Sequence, residues 1–254
     1  QGWIRPTDTS INVAVAQGSS PTPKALEVSV PDGNDGWNVV IPNAGFPAGK
    51  LKTIILELPP DSFTDDDYRV RISTNLEIYW DKLSFSSRAS VDVEERPIGL
   101  NAADLGYMGF PFMSRIDKNS PNIPDYNDIR YGNAWRDLEG YYTKYGAVEE
   151  LLDEIDDRYV IMNAGDALYV QFNGLEPVLP GMDRDYIFFT DGWVKDGDWN
   201  TVDSRTVGPL PFHTMRGYPY PEEERPDALL PSHHDWQEFH TRYITPASFR
   251  NALK

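Results

Sequence analysis

Asp196, Asp198 and Asn200 stand at alternate positions in the stretch Asp191-Gly-Trp-Val-Lys-Asp-Gly-Asp-Trp-Asn-Thr201. A loop with that spacing can aim three oxygen-bearing side chains at one point, which is how calcium loops begin. These three are the candidate calcium ligands. The rest of an EF-hand pattern is missing, because no Gly follows Asn200 and no Glu closes the loop. The same residues equally make a strand-ending turn, with Asp and Asn bonding their own backbone and Gly supplying positive φ. The turn is the preferred reading and bound calcium the alternative.

All four histidines fall late in the chain: His213, His233, His234 and His240. On a helix from Ser232, His233 and His240 share a face with Gln237, and His234 shares another with Glu238. A metal would want two imidazoles and a carboxylate converging. The plainer reading, that these rings bond local backbone or face solvent, is preferred. No nucleophile elbow, phosphate loop or dinucleotide fingerprint occurs. Asp and Glu are so abundant that no glycosidase pair stands out. Trp37, Trp80, Trp193 and Trp199 lie near loops, where indoles can stack on sugar rings, though Trp beside strands is more often core.

The composition narrows the partners. Formal net charge is -17 over 254 residues. Such a chain repels nucleic-acid phosphates and anionic lipid heads, so neither is expected as a partner. There is no Cys, which removes disulfides, thiolate metal sites and a Cys nucleophile. No apolar run is long enough to span a membrane. Aromatic content of 13% is not that of a disordered chain, and 21 Pro with 19 Gly imply many turns between short elements.

The elements that must position these residues read as β. Residues 25–30, 37–41, 51–58, 68–72, 76–80, 159–162, 168–172 and 184–194 have the alternation or the β-rich composition of strands, separated by turns. Residues 31–36 make a hairpin turn, and 163–166 make another between 159–162 and 168–172. Ala102–Phe110 holds one further strand. Residues 111–146 read as a long ordered loop, since its Tyr, Trp and Phe would hardly be left in water. Val148, Leu151, Leu152 and Ile155 share one face of an expected helix over 147–156. Short helices are expected at 232–243, with Ser232 as cap and Asp235 as its partner, and at 247–253. The expected core holds Ile54, Leu56, Ile72, Ile78, Trp80, Val170, Phe172, Ile187 and Phe189. Recurrent short strands give an all-β, jelly-roll-like sandwich over 1–201, and the Pro-rich residues 202–254 form an irregular docked strap. Two β domains dividing near 96–125 are the alternative.

Several motifs carry a family resemblance. Gly2-Trp-Ile-Arg-Pro-Thr-Asp-Thr-Ser-Ile-Asn-Val13, Gly45-Phe-Pro-Ala-Gly-Lys50 and Arg71-Ile-Ser-Thr-Asn-Leu-Glu-Ile-Tyr-Trp-Asp81 are among them. So are Tyr159-Val-Ile-Met-Asn-Ala-Gly-Asp166, the Asp191 stretch, Pro209-Leu-Pro-Phe212 and His240-Thr-Arg-Tyr-Ile-Thr-Pro246. Together they resemble the carboxyl-terminal region of bacterial proteins of the FG-GAP/ASPIC-UnbV type, which are cartilage acidic protein-like in their propeller part. The resemblance implies an exported protein, whether secreted, cell-surface or periplasmic, and no catalytic role. The propeller repeats and their calcium loops are not in this chain, so their calcium does not carry over. A start at Gln1 fits cleavage from a longer precursor.

The expectation is therefore a non-catalytic, extracytoplasmic binding or assembly module working through contacts with other protein subunits. Trp193, Trp199, His240, Arg242 and Tyr243 are the expected ligand or partner contacts. The alternatives are a carbohydrate-binding module with a structural calcium, and a glycoside hydrolase.

Overall fold

Alternation in Glu27-Val-Ser-Val-Pro31 builds strand β2, whose Val28, Ser29 and Val30 are all buried. The structure is a computed structural model and describes residues 1–4, 14–15, 17–47, 51–59, 61–63, 66–86, 94–118, 120–132, 137–195 and 203–246. β2 is buried because it lies between β3 (Trp37–Ile41) and β4 (Arg71–Ser73), antiparallel to both. The β2–β3 turn is set by Asp32, whose carboxylate accepts the Asn34 and Gly36 amide hydrogens, both at 2.8 Å. Gly33 and Asp35 take positive φ there, which Gly and Asp tolerate best. Alongside, β1 (Gly2–Ile4) pairs with β5 (Ile78–Trp80), and Trp3 stacks on Tyr79 at 5.0 Å.

The second half is built around β6 (Leu100–Tyr107), flanked by β10 (Gly146–Ala147) and β11 (Asp166–Phe172). Ala103 and Leu105 on one face of β6 pack with Val148, while Asp104 between them faces out. β7 (Phe110–Ser114) pairs with β8 (Ile123–Arg130), and β9 (Gly140–Tyr142) pairs with β12 (Arg242–Ile244). One five-residue helix, α1 (His234–Glu238), is described. The class is all-β, with five small sheets of two or three strands among the described residues. The chain divides into two compact units: Gln1–Val91 with Met113–Asp125, and Asp92–Phe112 with Tyr126–Lys254. Among the described residues no helix is long and apolar enough to cross a membrane.

Several expected elements differ. Residues 147–156 form no α-helix, only a 3-10 turn at Glu149–Leu151. The Val148 amide is spent on the Ala103 carbonyl, and no side chain caps the turn. Acids at 149 and 153, and at 150 and 154, would also repel at helical spacing. Val148 and Leu151 are nevertheless buried as the pattern requires, and Ile155 is not.

Residues 51–58 and 184–194 have strand-like sequence but pair with no strand, apart from a bridge between Gly2 and Lys52. β11 returns against β6, not against 159–162. The expected 111–146 loop contains β7, β8 and β9. The 232–243 helix stops at Glu238 because 242–244 are taken by the sheet with β9. Its cap is His233, whose Nδ1 accepts the Asp235 amide hydrogen, and not Ser232. The 247–253 helix lies outside the described residues.

The expected core is corrected most. Ile54, Leu56 and Ile78 are half-buried, but Ile72, Trp80, Val170 and Phe172 are exposed, and Ile187 and Phe189 are 79% and 81% exposed. Alternation marks one face for burial. It does not supply the second layer that would cover that face. The buried residues are instead Leu26, Val28, Val30, Ala103, Leu105, Val148, Ile161, Val207, Phe212 and Leu229, among others.

Candidate functional site

Residues 203–246 do not hang free. Phe212, Tyr220 and Leu229 form one buried cluster, and Val207 joins Tyr142 and Ile161 in another. Before β12, residues 203–241 carry Pro209, Pro211, Pro219, Pro221, Pro226 and Pro231 and run as turns and short helical pieces within the second unit. Two ion pairs with a buried carboxylate pin it.

At the first pair, Arg158 Nε and Nη2 donate to Asp235 at 2.7 and 2.9 Å, and Nη2 also reaches Glu150 at 2.9 Å. The Asp235 side chain is 2% exposed. The Arg158 guanidinium holds this carboxyl below its usual range, and Asp235 in turn raises the guanidinium. His233 Nδ1 and His234 Nε2 lie at 3.5 and 3.0 Å from the same carboxylate.

At the second pair, Arg242 Nη2 donates to Asp166, and its Nε donates to the Thr143 carbonyl at 3.0 Å. The guanidinium also lies 4.2 Å from the Tyr145 ring centroid. Tyr145 donates to Asp166 at 2.8 Å, and burial with that bond pushes its hydroxyl up to about 12. The Asn163-Ala-Gly-Asp turn presents Asp166, whose Oδ2 accepts the Asn163 amide at 2.7 Å. Gly165 holds positive φ there, and a Cβ on it would meet the Tyr107 ring at 2.7 Å.

Between the two pairs sits His240, 4% exposed, with Nδ1 at 3.1 Å from Thr143 Oγ1 and Trp236 edge-on at 4.8 Å. Thr143 Oγ1 also accepts the Ile161 amide hydrogen, at 2.7 Å. Burial pushes His240 down to about 4. An unfolded His takes its proton near 6.5, so between about 6.5 and 4 the unfolded chain binds a proton that the folded chain refuses. This contribution is whole above about pH 6.5 and is lost as pH falls to about 4, on the order of 3 kcal/mol in all. Urea titrations across that range should show a steep acid slope in the wild type and a shallower one in His240→Gln. Parallel slopes would contradict it.

The other surface feature is apolar. Tyr186, Ile187, Phe188 and Phe189 belong to no strand and stand in solvent, with Phe188 edge-on to Phe172 at 5.8 Å. Trp193 and Val194 continue the exposed run, and Trp193 leans on Tyr218 at 6.2 Å. Lys195 anchors its end, donating to the Val207 and Gly208 carbonyls at 3.2 and 2.8 Å, and burial pushes its amine down to about 8. Near the start of the Asp191 stretch, His213 bridges Asp157 at 2.9 Å and Asp191 at 3.5 Å, and both carboxylates raise it.

Of the residues expected to meet a ligand or partner, Trp193 is exposed, and Tyr243 is exposed while donating to Glu139 at 2.8 Å. His240 and Arg242 are held inside the fold by the bonds above. Trp199 and the candidate calcium ligands Asp196, Asp198 and Asn200 lie outside the described residues. Sequence reasoning did not single out Asp166 or Arg158. The turn that presents Asp166 was visible, but nothing local announced an arginine 76 residues away. No protein-family model, curated protein or solved structure matches the chain.

Proposed function

We propose that this chain is a non-catalytic, extracytoplasmic assembly module that docks another protein subunit through the apolar run 186–194. One observation carries the reading: four consecutive large apolar residues, Tyr186 to Phe189, stand in water on the isolated chain. Contiguous apolar surface of this kind marks interfaces. The same run is fixed at its end by Lys195 and flanked by a docked tail, so it is presented on an ordered support. The net charge of -17 favours a partner with a basic surface over a second copy of this acidic chain. The likeness of its motifs to exported ASPIC-UnbV type proteins supports the extracytoplasmic placement. A jelly-roll-like sandwich belongs to the same proposal, with the small antiparallel sheets supporting the β class.

A double variant, Phe188→Asp with Phe189→Asp, tests the reading. Isolated from its producing cell, the wild-type chain should sediment in a species heavier than its own 28.8 kDa, and the variant at that mass. Equal sedimentation of both would overturn the proposal. Carbohydrate binding is the second reading, supported by the exposed indoles of Trp80 and Trp193, and a glycan array distinguishes it.

A further inference from the structure

We infer that His233, His234 and Asp235 form a binding site for a zinc-class divalent cation. One ligand atom from each residue lies within 4.8 Å of the other two. The Asp235 carboxylate is closest to both rings, at 3.0 Å from His234 Nε2 and 3.5 Å from His233 Nδ1. The two imidazole rings lie 4.3 Å apart between centroids, tilted by 42° to each other. Two imidazole nitrogens and one carboxylate oxygen make the donor set that suits zinc and its neighbours, and not calcium, which wants six or more oxygens.

The carboxylate is already positioned. It is buried, and Arg158 grips it through Nε and Nη2. Each carboxylate oxygen has a second lone pair, so the guanidinium and a cation can share the group. Arg158 would then orient the ligand from behind, as hydrogen-bonded groups around metal ligands commonly do. Zinc bonds its ligands at about 2.0–2.2 Å, so the donors must close together by roughly 1 Å. His234 is the residue free to do this, since its side chain is 66% exposed. His233 gives up only the long 3.4 Å contact with the Asp235 amide. Three protein ligands leave a fourth position open to solvent, water or a group from a partner.

The test uses the full chain freed of metal with a chelator, then titrated with zinc alone by calorimetry. The wild type should take up one equivalent, and its melting temperature should rise with zinc by mass action. His234→Gln keeps the Arg158–Asp235 pair and the His233 cap, so its metal-free melting temperature should match the wild type. Its zinc affinity should fall by more than about tenfold, the loss that even outer-shell substitutions cause. X-ray absorption of the wild-type complex should report two imidazole ligands. A zinc affinity unchanged in His234→Gln, or no zinc uptake by the wild type, overturns the site.

Discussion

Replacing Asp166 with alanine should lower the stability of the chain by about 3–5 kcal/mol, the usual cost of removing one partner from a buried ion pair. The Asp166 side chain is 1% exposed, and three groups depend on it. Arg242 loses its carboxylate, Tyr145 its acceptor at 2.8 Å, and the Asn163 amide its acceptor at 2.7 Å. The turn that presents β11 loses its internal tie at the same time. Arg242 belongs to β12, so the loss also loosens the β9–β12 sheet and with it the docked tail. Urea denaturation of Asp166→Ala measures the cost. The double variant Asp166→Ala with Arg242→Ala should cost less than the sum of the two singles, because the buried charge goes with its partner. A loss under about 1 kcal/mol in the single variant would show that the pair is dispensable.

A chain ending at Val202 should lose cooperative unfolding of the second unit altogether. It lacks Val207, Phe212, Tyr220 and Leu229, and these complete two of the three buried apolar clusters found among the described residues. It also lacks β12 and Asp235, so β9 loses its only described strand partner and Arg158 its main acceptor. Truncating even one buried Leu or Phe costs about 2–5 kcal/mol, and a domain holds only about 5–15 in total. The truncated chain should therefore bind an apolar-surface dye strongly and melt without a sharp transition. A transition as sharp as that of the full chain, with no dye binding, would mean the tail merely rests on a unit that folds without it.

How far the sequence was readable depended on the range of the interaction. The β2–β3 hairpin was legible because Asp32, Gly33 and Gly36 declare their turn locally. β11 was legible from its own alternation, and Phe212 and Tyr220, two of the tail's aromatic residues, are buried together with Leu229. The helix expected over 147–156 was not formed: Gly146 and Ala147 pair with β6 far earlier in the chain, and only a 3-10 turn follows. The run 184–194 read as a core strand, and the missing information was a neighbour to pair with. Its exposure is the same fact that makes it the proposed docking surface. Helical spacing put His233 with His240 and His234 with Glu238, whereas folding buries His240 against Thr143 and turns His233 and His234 to Asp235. Arg242 was singled out as a partner contact, yet only the fold brings Asp166 to it.

The central claim is that residues 186–194 are covered by another protein in the natural state. Hydroxyl-radical footprinting measures this directly, by comparing oxidation of Tyr186, Phe188, Phe189 and Trp193 in the isolated chain with the chain in its native assembly. The account expects fast labelling of all four in the isolated chain and several-fold protection in the assembly, with the exposed Tyr126 of β8 labelled alike in both. Equal labelling of the four residues in the two states would contradict it.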